Sequence, residues 1–417
     1  MRARRWSLVL WCLAGIAGAL LLVKFFVADV YRVDSGSMRP TLFGGRARPD
    51  APEDTEHVLV LYDRDFRPQR FDLVVMRARD GKTPLVKRAC GLPGDRDLVI
   101  RDGDLLIAGR RLAPETPRPA PVLVYDDRYL EPERFFHHRA DGSVRREGDA
   151  WVVDGSIGPL GGSFVLYHPA LRDDYLDREH RRVAGVVEVN DAILELEFAL
   201  PVVRAGQRVM LQLVEQSDVF EVVLAQGETA ATLRLTRRNW RTLQAHKERE
   251  SDPPPEREIL LGEVPITLSA ERWIAVRFSN LDNHLSVRCP ALGVGVEKSY
   301  DENEPWLGRL PGGQKTPGAR VLFGAEGGVA RFRAVRILRD LYYVDEGVYG
   351  TRNPESAASR REPQPITLGP DEYFLLGDNS AASNDSRHFG ALKARELLGR
   401  PVAVVWPRPR WLRSVGP

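Results

Sequence analysis

Residues 71–76 read Phe71-Asp72-Leu73-Val74-Val75-Met76, and residues 85–88 read Leu85-Val86-Lys87-Arg88 ahead of Gly91-Leu92-Pro93-Gly94-Asp95. Short apolar runs rich in β-branched residues and closed by turn formers are strand signals. Similar runs lie on either side, at residues 58–62 and 98–100, and Arg101-Asp102-Gly103-Asp104 reads as a hairpin turn before residues 105–107. This part of the chain is therefore expected to be β. The second run carries a lysine, and only seven of the 60 Lys and Arg residues are lysine.

A lysine inside an apolar strand has two readings. It can snorkel to solvent, or burial can destabilise its ammonium and leave a neutral amine able to accept a proton. Arg88 would leave the strand on the opposite face and reads as structural. Upstream, Ser35-Gly36-Ser37-Met38-Arg39-Pro40-Thr41-Leu42 offers a partner for such an amine. Ser37 on its own reads as a turn residue, since a serine hydroxyl is a weak nucleophile until a base takes its proton. The Ser37 backbone N–H and the Ser35 hydroxyl are local oxyanion donors. Near the C-terminus the apolar run Phe374-Leu375-Leu376 enters a polar loop holding Gly377, Asp378, Asn379, Ser383, Asp385 and Arg387. That loop is either merely solvated, or a brace in which Asp385 pairs with Arg387 and a serine orients the lysine.

Residues 6–23 are almost wholly apolar, and residues 25–28 extend the run past Lys24. That length is expected to cross a bilayer once. Arg2, Arg4 and Arg5 precede it, which keeps residues 1–5 cytoplasmic and sends the rest outward. The competing reading is a cleaved leader with Ala17-Gly18-Ala19 as its small-residue site. A net charge of +2 over 417 residues argues against a nucleic-acid partner. Three cysteines, Cys12, Cys90 and Cys289, give neither a disulfide framework nor metal-ligand spacing, and the two downstream ones read as buried apolar residues.

Between the two polar centres, alternating runs recur at residues 192–198, 220–224, 231–236, 273–278, 285–288 and 330–337. Period-2 alternation over so long a stretch, with little helical pattern, predicts a two-sheet sandwich. Residues 248–258, with Pro253-Pro254-Pro255, read as a loop, and residues 392–398 as a short helix stopped by Gly399. Asp282, Asn283 and His284 read as a hairpin turn, with calcium or glycan binding as the alternative.

The four segments together resemble the boxes of type I signal peptidases, bacterial serine/lysine proteases of the exported membrane face. Residues 35–42 match the nucleophile box, 71–75 the next, 86–88 with 91–95 the lysine box, and 377–379 with Ser383, Asp385-Ser386-Arg387 and Gly390 the last. The resemblance implies a mainly β fold: an antiparallel catalytic domain over residues 32–110 and 340–417, behind a transmembrane anchor at 6–28. It implies Ser37 as nucleophile, Lys87 as general base, Ser383 orienting the lysine, Ser35 as an oxyanion donor and a supporting loop of Asp378, Asn379, Asp385 and Arg387. No metal or cofactor is implied. The implied partners are exported preproteins cut after small residues at −1 and −3, the lipid bilayer and the translocation machinery, at the plasma (inner) membrane. Two positions depart from the pattern: Ser380 stands where arginine is usual, and Cys90 where a β-branched residue is common. The inserted residues 114–339 resemble the concanavalin/laminin-G-like sandwiches of long, planctomycete-type signal peptidases. A dedicated processing protease of the same clan, or a surface binding protein built around the sandwich, are the other readings.

Overall fold

β1 (Ala28–Arg32), β2 (His57–Tyr62), β3 (Leu73–Arg77) and β4 (Pro84–Gly91) form where the apolar runs predict strands. The computed structural model describes residues 27–46, 53–63, 65–78, 83–101, 103–157, 162–215, 218–239, 258–300, 319–345 and 365–412. The chain is mainly β and divides into two compact units, Met1–Pro119 with Tyr342–Pro417, and Ala120–Leu341. The anchor expected at residues 6–28 falls almost entirely outside the described residues, as does nearly all of the loop expected at 248–258. Among the described residues no helix is long and apolar enough to cross a membrane.

The first unit is built on an antiparallel sheet in the order β1, β2, Leu397–Trp406, β3, β4, Glu372–Leu376, Leu392–Lys393, with Arg410–Trp411 paired to Leu397–Trp406. β3 is apolar without alternation because both its faces are covered. Leu73 and Val75 pack with Met38, Leu42, Val58, Val60 and Val404. Val74 and Met76 pack with Ala89, Tyr373, Leu375 and Leu392. The central strands are thereby fixed from two sides, which holds Lys87, paired with Val74, in one register. The hairpin expected at residues 101–104 forms, with Arg101 opposite Asp104.

Two local expectations are corrected. Residues 392–398 are not a helix: Leu392–Lys393 is a strand, Ala394–Glu396 a 3-10 turn, and Leu397 already pairs with Met76. Gly399 is not a helix stop but a point of close approach inside a strand, where a Cβ would collide with the Leu61 carbonyl oxygen. The strand expected from Phe71 begins at Leu73. Phe71 itself has φ of 69°, uncommon for a bulky residue, and its N–H donates to Ala89 O at 2.6 Å.

The second unit stacks two antiparallel sheets. One contains Ala192–Ala199 between Val329–Arg339 and Ile274–Leu281, and the other contains Arg208–Glu215 between Asp218–Gln226 and Arg320–Glu326. Leu194, Leu196 and Phe198 point inward, while Glu195 and Glu197 face outward and pair with Arg336 (2.7 Å) and Arg333 (2.8 Å). Phe323 and Phe332, one from each sheet, meet with ring centroids 5.0 Å apart, as expected of facing layers. Asp282 and Asn283 form a two-residue hairpin turn with φ of 48° and 62°. Positive φ at both central residues marks a type I′ turn, which favours Asp and Asn at these positions.

Candidate active site

Ser37 sits in a 3-10 turn, Gly36–Met38, whose apolar member Met38 is buried in the core. The turn is held from the far end of the chain. Asn379 donates its backbone N–H to Ser37 O and its side-chain amide to Gly36 O, both at 3.0 Å. Ser37 is half-buried, and Ser35, exposed, places its Oγ 3.2 Å from Ser37 Oγ.

Lys87 comes off β4 into the same place. Its Nζ lies 2.9 Å from Ser37 Oγ and 3.0 Å from Ser383 Oγ, and the residue is only 2 % exposed. Burial lowers its pKa to about 8, against the pull of the Asp385 and Asp378 carboxylates and with the help of the Arg387 charge. A large fraction of Lys87 is therefore neutral near pH 8, and a neutral amine within hydrogen-bond reach of a hydroxyl can take its proton.

The polar loop is a packed brace. Arg387 makes a two-pronged contact with Asp385 at 2.9 and 2.8 Å, and neither side chain is exposed. Burial alone would raise the Asp385 pKa, but the Arg387 hydrogen bonds and charge and the Gly377 N–H hold it below the usual carboxylate range. Asp385 also accepts the Arg387 backbone N–H as the cap of the helical turn Ser386–Phe389. Removing one member of a buried pair leaves the other charge without compensation, at about 3–5 kcal/mol. Asp385→Ala is accordingly expected to lower unfolding stability by about that amount, read from denaturant midpoints; a loss under about 1 kcal/mol would show the pair to be dispensable.

All eight site residues singled out in the sequence lie on this one centre: Ser35, Ser37, Lys87, Asp378, Asn379, Ser383, Asp385 and Arg387. Three further residues shape it. Arg88, read as purely structural, grips Asp378 through Nε (2.7 Å) and Nη2 (2.5 Å). Burial opposes the Arg88 charge, yet Asp378 outweighs it and holds the guanidinium protonated. Thr41 donates to the same carboxylate at 2.5 Å. Gly377 leaves no room for a side chain: a Cβ there would collide with Ser383 Oγ and lie 2.6 Å from Ser37 O. An arginine next to a site lysine, and a carboxylate directly after a buried strand, were the signals for the first of these. Cys90 follows on β4, buried, with burial pushing its thiol up to about 12.

A family profile described as signal peptidase, peptidase S26, matches residues 4–151 and 340–406, just over half of the chain. Signal peptidase I of Bacillus caldolyticus is 29% identical over 199 residues, covering 47% of this chain and 90% of that protein. Signal peptidase I P of Bacillus subtilis subsp. natto is 31% identical over 116 residues, covering 27% of this chain and 58% of that protein. Among solved structures, the carbohydrate binding module CBM66 from Bacillus subtilis covers 49% of this chain and 94% of its own, at 8% identity and a TM-score of 0.30. Likeness that faint says nothing about what the sandwich binds.

Proposed function

Since the chain belongs to the signal peptidase family, peptidase S26, we propose that it is a membrane-anchored serine endopeptidase that removes signal peptides from exported preproteins through Ser37 and Lys87. The observation that carries this reading is Lys87 Nζ at 2.9 Å from Ser37 Oγ on a lysine only 2 % exposed. Ser37 Oγ attacks the scissile carbonyl while Lys87 accepts its proton. The oxyanion is stabilised by the Ser37 N–H and the Ser35 hydroxyl. The Lys87 ammonium protonates the leaving amine, which produces an acyl-enzyme and a neutral lysine again. Water, deprotonated by Lys87, then releases the acyl group and frees Ser37. Ser383 keeps the amine aimed at Ser37 throughout, and the side chains present suffice for this chemistry.

Residence at a bilayer rests on the apolar run at residues 6–28 and on the surface that follows it. Val27, Val30, Trp406 and Trp411 are exposed, the last two at 63% and 80%. Val30, Leu59, Ala403 and Trp411 form one cross-strand row. Exposed tryptophans of this kind favour a membrane interface. The anchor would hold residues 1–5 in the cytoplasm and the peptidase unit outside. The test is cleavage of a preprotein by the full chain in membranes. Wild type should release the mature protein, and Ser37→Ala should lose at least about a thousandfold in rate. Retained cleavage in Ser37→Ala would remove the nucleophile and with it the mechanism.

A further inference from the structure

Tyr343 and Val344 lie at the start of the second segment of the peptidase unit, which opens at Tyr342 after the sandwich chain ends at Leu341. They belong to no strand beyond a single bridge from Tyr343 to Gly103. Yet the Val344 N–H donates to Ser380 Oγ at 2.9 Å, and Val344 O accepts from Arg387 Nη1 at 2.8 Å. Arg387 Nη2 in turn donates to Ser380 O at 2.6 Å. Three hydrogen bonds thus tie Val344, Ser380 and Arg387 to one another. Ser380 is the position where the sequence departs from arginine, and a short hydroxyl there reaches the backbone N–H beside it.

We propose that the Tyr343–Val344 segment is a positioning element for Ser383 and Lys87, acting through the Ser380 hydroxyl and the Arg387 guanidinium. The proposal rests on the reading of Ser37 and Lys87 as the dyad. The path is continuous. Arg387 fixes Asp385 by two hydrogen bonds, and Asp385 Oδ2 accepts the Gly377 N–H at 3.0 Å. Gly377 is the residue against which Ser383 Oγ is packed, and Ser383 Oγ lies 3.0 Å from Lys87 Nζ. The segment is seated at its other end by the Tyr343 N–H on Gly103 O at 3.1 Å and by the Tyr343 ring, 3 % exposed. Gly103, with φ of 99°, admits the Tyr342 ring where a Cβ would collide with it. A shift of this segment therefore reaches the lysine, and only Tyr342 separates it from the end of the sandwich chain.

The deciding experiment compares Ser380→Ala with wild type and Ser380→Thr in the full chain, measuring kcat, KM and the pH profile of preprotein cleavage. Loss of the Ser380 hydroxyl should lower kcat roughly tenfold or more with KM unchanged. It should also move the acid limb of kcat/KM to higher pH. Lys87 faces Asp378, Asp385 and Arg387 from the loop and the Ser37 and Ser383 hydroxyls, while the charge of Arg88, its neighbour on the strand, is paired with Asp378. Water admitted among these groups favours the ammonium. Ser380→Thr, which keeps a hydroxyl, should restore both readouts. Wild-type kinetics and pH profile in Ser380→Ala, with or without a lower melting temperature, overturn the proposal. Should that variant fail to fold, Val344→Pro deletes the same hydrogen bond from the other side, and the same readouts decide. A wild-type chain that cleaves no preprotein overturns the dyad reading together with this one, whereas an active wild type with an unaffected Ser380→Ala overturns this one alone.

Discussion

Lys87→Ala should bring preprotein cleavage down by at least about a thousandfold, to the level of Ser37→Ala, and the double variant should be no worse than either single one. Nucleophile and base act as a unit, so their losses do not add. No replacement base is at hand. Asp378 and Asp385 are both engaged by arginines, and Ser383 cannot accept a proton from Ser37 at neutral pH. In the wild type, kcat/KM should rise with pH through an apparent pKa near 8, where burial has placed the Lys87 amine. A rise centred near 6 would point to a base other than this lysine, and one near 10 would mean that burial does not depress its amine.

The same burial has a stability sign. The folded-state pKa of Lys87 is about 8 against an ordinary value of 10.5. Between those values the unfolded chain binds more protons, so stability rises with pH there. Below pH 8 the lysine is charged in both states and its unfavourable burial is fully present. That burden is at most about 3 kcal/mol. Lys87→Met, close in length and uncharged, should therefore be as stable as wild type or more so at pH 7 while being inactive. Equilibrium unfolding of the two proteins at pH 7 and pH 10 measures it, and the difference should shrink at the higher pH. Stability given up at one lysine is what a buried base demands.

The strands were legible because burial imposes its period on the residues. Leu194, Glu195, Leu196, Glu197 and Phe198 alternate since one face of their strand packs and the other pairs with arginines. Residues 73–76 do not alternate, and that too was readable, because both faces are covered. Residues 392–398 were misread because Leu392, Leu397 and Leu398 suit either period. A packed neighbour settled the matter: Gly399 must let the Leu61 carbonyl approach, a demand set by residues over three hundred positions away. Ser37 and Lys87, the proposed reactive groups, stood out by type and surroundings. Their supports did not, since Arg88 and Asp378 lie 290 residues apart and Thr41 and Asp378 337 apart. Pattern along a chain carries no information on which of many arginines meets a given carboxylate. Ser380 is the instructive intermediate case. It was visible as a departure, but the partner that gives it meaning, the Val344 N–H, is a backbone group that every sequence possesses.

Gly377→Ala should lower kcat by roughly a hundredfold, although it adds a single methyl group to a residue with no functional side chain. A Cβ at that position collides with Ser383 Oγ and lies 2.6 Å from Ser37 O. Neither neighbour can yield freely. Ser37 O accepts the Asn379 N–H at 3.0 Å, and Ser383 N–H is bonded within its own turn, to Ser380 O. Gly377 cannot move away either, because its N–H is held by Asp385, itself fixed by Arg387. The methyl must therefore displace Ser383 Oγ from Lys87, push the Ser37 turn away from the loop, or do both. Displacement of about 1 Å at a reacting pair is enough for a hundredfold loss. The effect should fall mainly on kcat, because the groups that the methyl strikes are Ser383 and the Ser37 turn. A Gly377→Ala protein with wild-type kcat would mean that the loop and the Ser37 turn separate easily, and the packing of the last box against the first would then have no part in holding the dyad together.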